Sequence, residues 1–185
     1  MGSWFMSTPL PTTNEDESLV GDVYLVTYTQ TLETSKTLAV SNPILRDHYT
    51  IVIDVAGQST EEVPKGYELH LEIQHGTSKS VNLVGNELHY RRTKYAKHQK
   101  LGRITNEYHS GNPREWADGL KRVAQNQWYK EFIQSRGDQW NHECNSHQFA
   151  KFLTLKLGLE WPNNLYVAGE GDLLEPLFFN ILEEW

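Results

Sequence analysis

The sequence predicts an α+β domain in which an antiparallel β-sheet packs against a helix bearing the chain's one cysteine. Three observations point there. Two stretches, HYTIVIDV at His48–Val55 and YELHLEIQ at Tyr67–Gln74, alternate strictly between two faces. A capped amphipathic helix signal opens at Asn112, and a second helical stretch, Trp140–Gly158, holds Cys144 near its start. Strand signals gather in the first half and helix signals in the second, an order that suits α+β better than an alternating α/β fold.

Residues 1–18, with Pro9, Pro11 and the acidic run NEDES, read as a disordered lead-in, and residues 19–185 as a single domain. Asp22–Thr29, DVYLVTYT, is rich in β-branched and aromatic residues and predicts a strand. Asn42-Pro43 marks a turn. On the next strand Tyr49, Ile51, Ile53 and Val55 face one way and His48, Thr50, Val52 and Asp54 the other. On the following one Tyr67, Leu69, Leu71 and Ile73 oppose Glu68, His70, Glu72 and Gln74. Ser80–Val84 and Glu87–Tyr90, on either side of Gly85-Asn86, read as a hairpin. Asn112 with Glu115 resembles a capping box, and Pro113 suits the first helical position. Trp116, Leu120, Val123, Ala124, Gln127 and Phe132 form the expected inward stripe, ending near Gly137. In the last helix Asn141 is the expected N-cap, Phe149, Phe152, Leu153 and Leu157 follow at helical spacing, and Gly158 is the stop. A short strand at Leu165–Ala168 and an apolar segment at Leu173–Leu182 complete the reading.

The composition narrows the function classes. Apolar residues make up 38% of the 185 and aromatic residues 11%, enough for a folded core. A single cysteine excludes an internal disulfide framework. No stretch approaches the roughly 20 apolar residues of a membrane-spanning helix, and the first residues lack the pattern of a signal peptide, so a cytoplasmic protein is expected. The formal charge is −7, yet RRTKYAKHQKLGR at Arg91–Arg103 has basic residues and no acidic ones. A nucleic-acid interface is not expected from one short run in an acidic chain. Apart from a solvated face, the run suits docking of an acidic protein at Arg91, Arg92 and Lys94.

The chemistry centres on Cys144. Asn141, His142, Glu143, Asn145, Ser146 and His147 surround it, a poor apolar pocket for a purely structural thiol. In the first turn of a helix, unpaired N–H groups and the helix dipole favour a thiolate, and the Cys144 N–H can contribute to an oxyanion hole. Such a nucleophile needs a base and a group to orient that base. His48 and His70 are the best-placed candidates, since paired antiparallel strands would project both imidazoles from one side of the sheet toward a packed helix. His147, three residues after the cysteine, competes for the role. Glu143 argues the other way, because a neighbouring carboxylate disfavours the thiolate. HECNSH is one residue too long for the HExxH zinc motif, so His142 and His147 would not share a helix face. No further cysteine completes a structural zinc site, and no phosphate-cradling glycine loop is present. No metal or cofactor is expected.

These residues resemble a family. The order of two histidine-bearing strands, a helix, and a cysteine at a helix start is similar to the circularly permuted papain-like superfamily. That group includes NlpC-type peptidases, lecithin:retinol acyltransferase-like enzymes and PPPDE thiol peptidases. DHYTIVIDV resembles its histidine strand, roughly H-W/Y-x-I-Y/V-V. GYELHLEI resembles the next strand of the acyltransferase-like branch, V-x-H-L. ECNSHQFAKFLTLKLG resembles both the N-C-E-H-F segment of that branch and the N-N-C-N-x-F-S segment of the PPPDE branch. The likeness spans roughly residues 20–160 as short islands. Glu143 stands where an Asn usually precedes the cysteine, and one extra residue separates Cys144 from Phe149.

The resemblance implies a permuted papain-like fold with Cys144 as nucleophile, His48 as general base and His70 as its orienting partner. His147 and Asn141 are auxiliary candidates. It implies an acyl-transfer enzyme acting on an amide, ester or thioester carbonyl, as a hydrolase (a thiol protease or thioesterase), an acyltransferase or an acyl cyclase. The alternative is a non-catalytic module of the same fold that binds an acidic protein partner.

Overall fold

The computed structural model describes residues 10–29, 47–73, 80–89, 96–104 and 111–169. Five strands, β1 (Asp22–Thr29), β2 (Asp47–Ile53), β3 (Lys65–Ile73), β4 (Val81–His89) and β5 (Ala96–Arg103), form one antiparallel sheet in the order β4-β3-β2-β1-β5. Two helices follow. The first runs through α1 (Pro113–Val123), a π-helical turn (Ala124–Trp128) and α2 (Tyr129–Arg136); the second is α3 (Ser146–Lys156). The molecule is therefore α+β, as the order of the sequence signals predicts.

The helices cover one face of the sheet. Tyr49, Ile51, Ile53, Leu69 and Leu71 share a buried core with Trp116, Phe132, Phe149 and Leu153. Along a strand successive side chains point to opposite faces. His48, Thr50 and Val52 on β2, and Glu68, His70 and Glu72 on β3, therefore turn away from the helices, which corrects the expectation that the two imidazoles project toward a packed helix: the larger apolar residues of the other face take the helices. A small apolar cluster of Tyr24, Val26 and Val52 occupies that second face beside them.

The β2–β3 ladder is short. It runs only from Ile51↔Leu69 to Ile53↔Tyr67, whereas β1–β2 pairing continues to Asp47. Asp54 bonds on the β1 side, through Asp22 O, so the odd-numbered residues of β2 turn their backbone groups toward β3. At Asp47 and Tyr49 those groups meet α3 instead. Ser146 Oγ accepts from the Tyr49 N–H at 3.4 Å, and His147 Nε2 donates to the Asp47 carbonyl at 2.7 Å. The start of α3 is thus set into a fork between two strands, on either side of His48.

The first helix bears out its capping box: Asn112 accepts from the N–H groups of Arg114 and Glu115, and Glu115 reaches back to the Asn112 N–H. The expected stripe holds to Ala124 and then shifts. Gln127 is exposed and Trp128 buried, because the wider π turn advances the inward position by one residue before Phe132.

Several expectations are corrected. Gly85-Asn86 is not a turn: β4 passes straight through it, pairing Gly85 with Leu69 and Asn86 with Glu68. Gly85 is there because a Cβ would collide with the Tyr67 ring. The basic run is strand β5 from Ala96 on, which sequence alternation does not betray. Its Lys100 and Arg103 bond the buried Asp22 at 2.7 and 2.6 Å. Burial alone would push the Asp22 carboxyl up; the two cations outweigh it and hold it below its ordinary value. Arg91, Arg92, Lys94, residues 1–9 and Leu173–Leu182 lie outside the described residues. The lead-in from residue 10 is attached, with Leu10 buried in the core and the Glu15 N–H donating to the Ala56 carbonyl at 2.8 Å. Leu165–Ala168 forms no strand; the Tyr49 hydroxyl and the side chains of His147 and Gln148 hold this segment and its neighbours.

Asp54 ends β2 by gathering a loop. Its carboxylate accepts from the N–H groups of Ala56, Gly57, Gln58 and Ser59 at 2.6–3.1 Å. Gly57, at φ +71°, lies where a Cβ would strike the backbone of Asp16. Asp54→Ala strands those buried donors and should cost about 2–4 kcal/mol in urea unfolding, with Asp54→Asn losing less. An unchanged unfolding midpoint in Asp54→Ala would refute this role.

Candidate functional site

On the second face of the sheet His48 and His70 meet as the sequence suggests, with His48 Nε2 3.0 Å from His70 Nδ1 and their rings edge to face. Two glutamates extend the group. His70 Nε2 lies 3.3 Å from Glu72 Oε1 and 3.9 Å from Glu68 Oε1. Glu68 Oε2 accepts from the Tyr28 hydroxyl at 2.9 Å and from Thr50 Oγ1 at 2.8 Å. All four ionisable residues are buried, with exposures of 5% or less. His48 Nδ1, His70 Nε2 and Glu72 Oε2 make no hydrogen bond.

Burial sets the charge of this row. It holds His48 well below its ordinary pKa, helped by the nearby His70 and His147, and lowers His70 to about 4. Both imidazoles are thus neutral at pH 7. Burial also raises Glu68, although its two hydrogen bonds resist the shift. It lifts Glu72 to about 7, the neighbouring Glu68 adding to the effect. Glu68 and Glu72 share the face of His70 by alternation, though composition alone suggests no role for them. Their i−2 and i+2 positions on an alternating strand were the available signal.

Cys144 lies elsewhere. It is fully buried and belongs to the apolar core on the helix side of the sheet. The helix begins later than the sequence suggests. Asn145 is the N-cap, accepting from the Gln148 N–H at 2.9 Å, so Cys144 precedes the helix instead of sitting in its first turn. Asn141 is the pivot of the preceding turn, where its Oδ1 accepts from the N–H groups of Glu143 and Cys144. That engages the Cys144 N–H, which is not free to serve an oxyanion. Among the described residues no hydrogen bond joins the Cys144 thiol to His48 or His70. Burial pushes the thiol up to about 11; Arg136 pulls the other way and Asp138 pushes with burial. The expected thiolate at a helix start is therefore absent in this arrangement, and the cause is desolvation, not Glu143.

His147 is committed to structure. Its Nδ1 accepts from the Ala168 N–H at 3.1 Å, which leaves the proton on Nε2 for the Asp47 carbonyl. The Tyr49 ring stacks on it at 3.8 Å. With both nitrogens engaged, it is not available as the base. His142 is exposed.

Among the described residues no group of three or more His, Cys, Asp or Glu side chains is arranged to hold a metal ion, and no helix is long and apolar enough to cross a membrane. No family model, curated protein or solved structure matches the chain.

The raised Glu72 carboxyl has a signed consequence. Below about pH 4.5 it is protonated in both folded and unfolded chains. As pH rises toward 7 the unfolded chain releases that proton and the folded one retains it, so stability falls. The buried histidines act oppositely, losing stability as pH drops below 6.5. Glu72→Gln should therefore gain on the parent between pH 4.5 and 7, by up to roughly 3 kcal/mol at about 1.4 kcal/mol per pKa unit. Parallel urea titrations across that range would test it; a stability difference that does not vary with pH would contradict it.

Proposed function

We propose that the protein is a cytoplasmic acyl-transfer enzyme of the Cys–His type with a circularly permuted papain-like fold. Cys144 attacks an amide, ester or thioester carbonyl. The thiol proton passes to His48 Nδ1 as the C–S bond forms, and then to the departing amine, alcohol or thiol. Water, or another acceptor, releases the acyl group from Cys144 and regenerates the thiol. His70 orients His48 through the nitrogen remote from the nucleophile.

The observation that carries the reading is the His48–His70 contact of 3.0 Å, which leaves His48 Nδ1 without a partner. The fork adds support. Ser146 and His147, just after the cysteine, bond the residues on either side of His48, so the cysteine loop is tethered close to the base in the chain. The reading requires the thiol to leave the apolar core and reach His48 when substrate binds.

The buried, protonated thiol favours a second reading, a non-catalytic module that binds an acidic protein partner. In the described part of the basic run Lys100 and Arg103 already neutralise Asp22, so docking at Arg91, Arg92 and Lys94 would draw no help from those two.

Incubation with activated thioesters, esters and peptides, followed by intact mass, separates the two. The enzyme reading expects one acyl group on Cys144, none on Cys144→Ser, and acylation slower by about 100-fold or more in His48→Ala. If no acyl donor labels the protein and iodoacetamide alkylates Cys144 with the same high pH threshold in parent and His48→Ala, the second reading replaces it.

A further inference from the structure

We infer that Glu72 is a positioning residue that holds the His70 proton on Nε2 and thereby leaves the lone pair of His48 on Nδ1. The inference deepens the acyl-transfer reading and rests on it for its catalytic meaning; the proton arrangement itself can be measured without any turnover.

Between His48 Nε2 and His70 Nδ1 there is room for one proton, and two arrangements are open to a neutral pair. In the first, His48 Nε2–H donates to His70 Nδ1, and His70 carries its own proton on Nε2, toward Glu72 Oε1 at 3.3 Å. In the second, His70 Nδ1–H donates to His48 Nε2. That choice aims the bare lone pair of His70 Nε2 at the oxygens of Glu72 and Glu68, and it strands a buried N–H on His48 Nδ1. Like-signed atoms facing each other without water are costly, and so is a buried donor without an acceptor. The first arrangement avoids both.

Of the two carboxylates, Glu72 is the one free to act, and it does so once ionised, above about pH 7. Glu68 spends Oε2 on Tyr28 and Thr50, and its Oε1 stands 3.9 Å from the imidazole. The Glu72 approach at 3.3 Å is close but is not a well-formed hydrogen bond, since His70 Nε2 still counts as unpartnered. It biases the tautomer electrostatically and tightens if His48 gains a proton and the pair becomes cationic. A base that takes the thiol proton on Nδ1 needs this order, because the opposite tautomer presents a proton to the nucleophile.

The test is a long-range 1H–15N correlation spectrum of the full chain labelled at histidine nitrogens, at pH 8, with His48 and His70 assigned from the signals lost in His48→Gln and His70→Gln. The expected result is Nε2-protonated tautomers for both residues. In Glu72→Leu the His70 signal should move to a mixed or Nδ1-protonated pattern, and Glu72→Gln, which keeps a carbonyl acceptor, should restore the parent pattern. His70 protonated on Nδ1 in the parent would overturn the inference, as would Glu72→Leu leaving its tautomer unchanged. If Glu72→Leu fails to fold, the parent spectrum and Glu72→Gln decide alone. The two failures are distinguishable. The expected tautomers without any acylation of Cys144 would sink the acyl-transfer reading and leave the role of Glu72 standing. Acylation with His70 protonated on Nδ1 would do the reverse.

Discussion

The junction between α3 and the open end of β2 holds this molecule's parts in register. His147 spans it with a hydrogen bond to the Asp47 carbonyl, another from the Ala168 N–H, and the stacked Tyr49 ring. Each hydrogen bond contributes on the order of 1 kcal/mol net, but leaving any of these buried groups unpaired would cost more. The junction also explains why the β2–β3 ladder stops at Ile51. Backbone groups that would have paired with β3 are taken by side chains of α3, so the strands part there and the imidazoles of His48 and His70 close the gap on the far face.

The sheet divides two chemical environments that the sequence suggests as one. On the helix side the surroundings are apolar and the thiol stays protonated. On the other side four ionisable groups share a buried row in which proton positions matter more than net charge. Desolvation governs both: it depresses the histidines, raises the glutamates and raises the cysteine. The proposed acyl transfer requires the thiol of Cys144 to pass around the fork and out of the core to reach His48.

Legibility followed locality. The alternation in HYTIVIDV and YELHLEIQ identified β2, β3 and the face each histidine takes on its own strand, because a period of two needs no tertiary information; that the two share a face follows only once the strands pair. The capping box at Asn112 was readable for the same reason, since its partners lie within three residues. β5 was not readable: AKHQKLGR carries no apolar alternation, and pairing with β1 and the Asp22 clamp make it a strand. Gly85-Asn86 had turn composition, but Gly85 serves the Tyr67 ring from the neighbouring strand. Asn141 and Asn145 were equally good caps by composition, and only the hydrogen bonds of the loop distinguish them.

By itself the sequence determined the α+β class, the strands that carry the histidines, and the neighbours each histidine has on its own strand face. Each follows from spacing along a single element or from the order of elements along the chain. The tertiary structure alone decided which face the helices cover, and with it the separation of Cys144 from the polar row. Alternation tells which side chains share a face but not which face is buried under the helices. Both faces here carry buried residues, so that choice belongs to packing: the aromatic and aliphatic volume of Trp116, Phe132, Phe149 and Leu153 fits against Tyr49, Ile51 and Leu69, and the polar row is left on the other side.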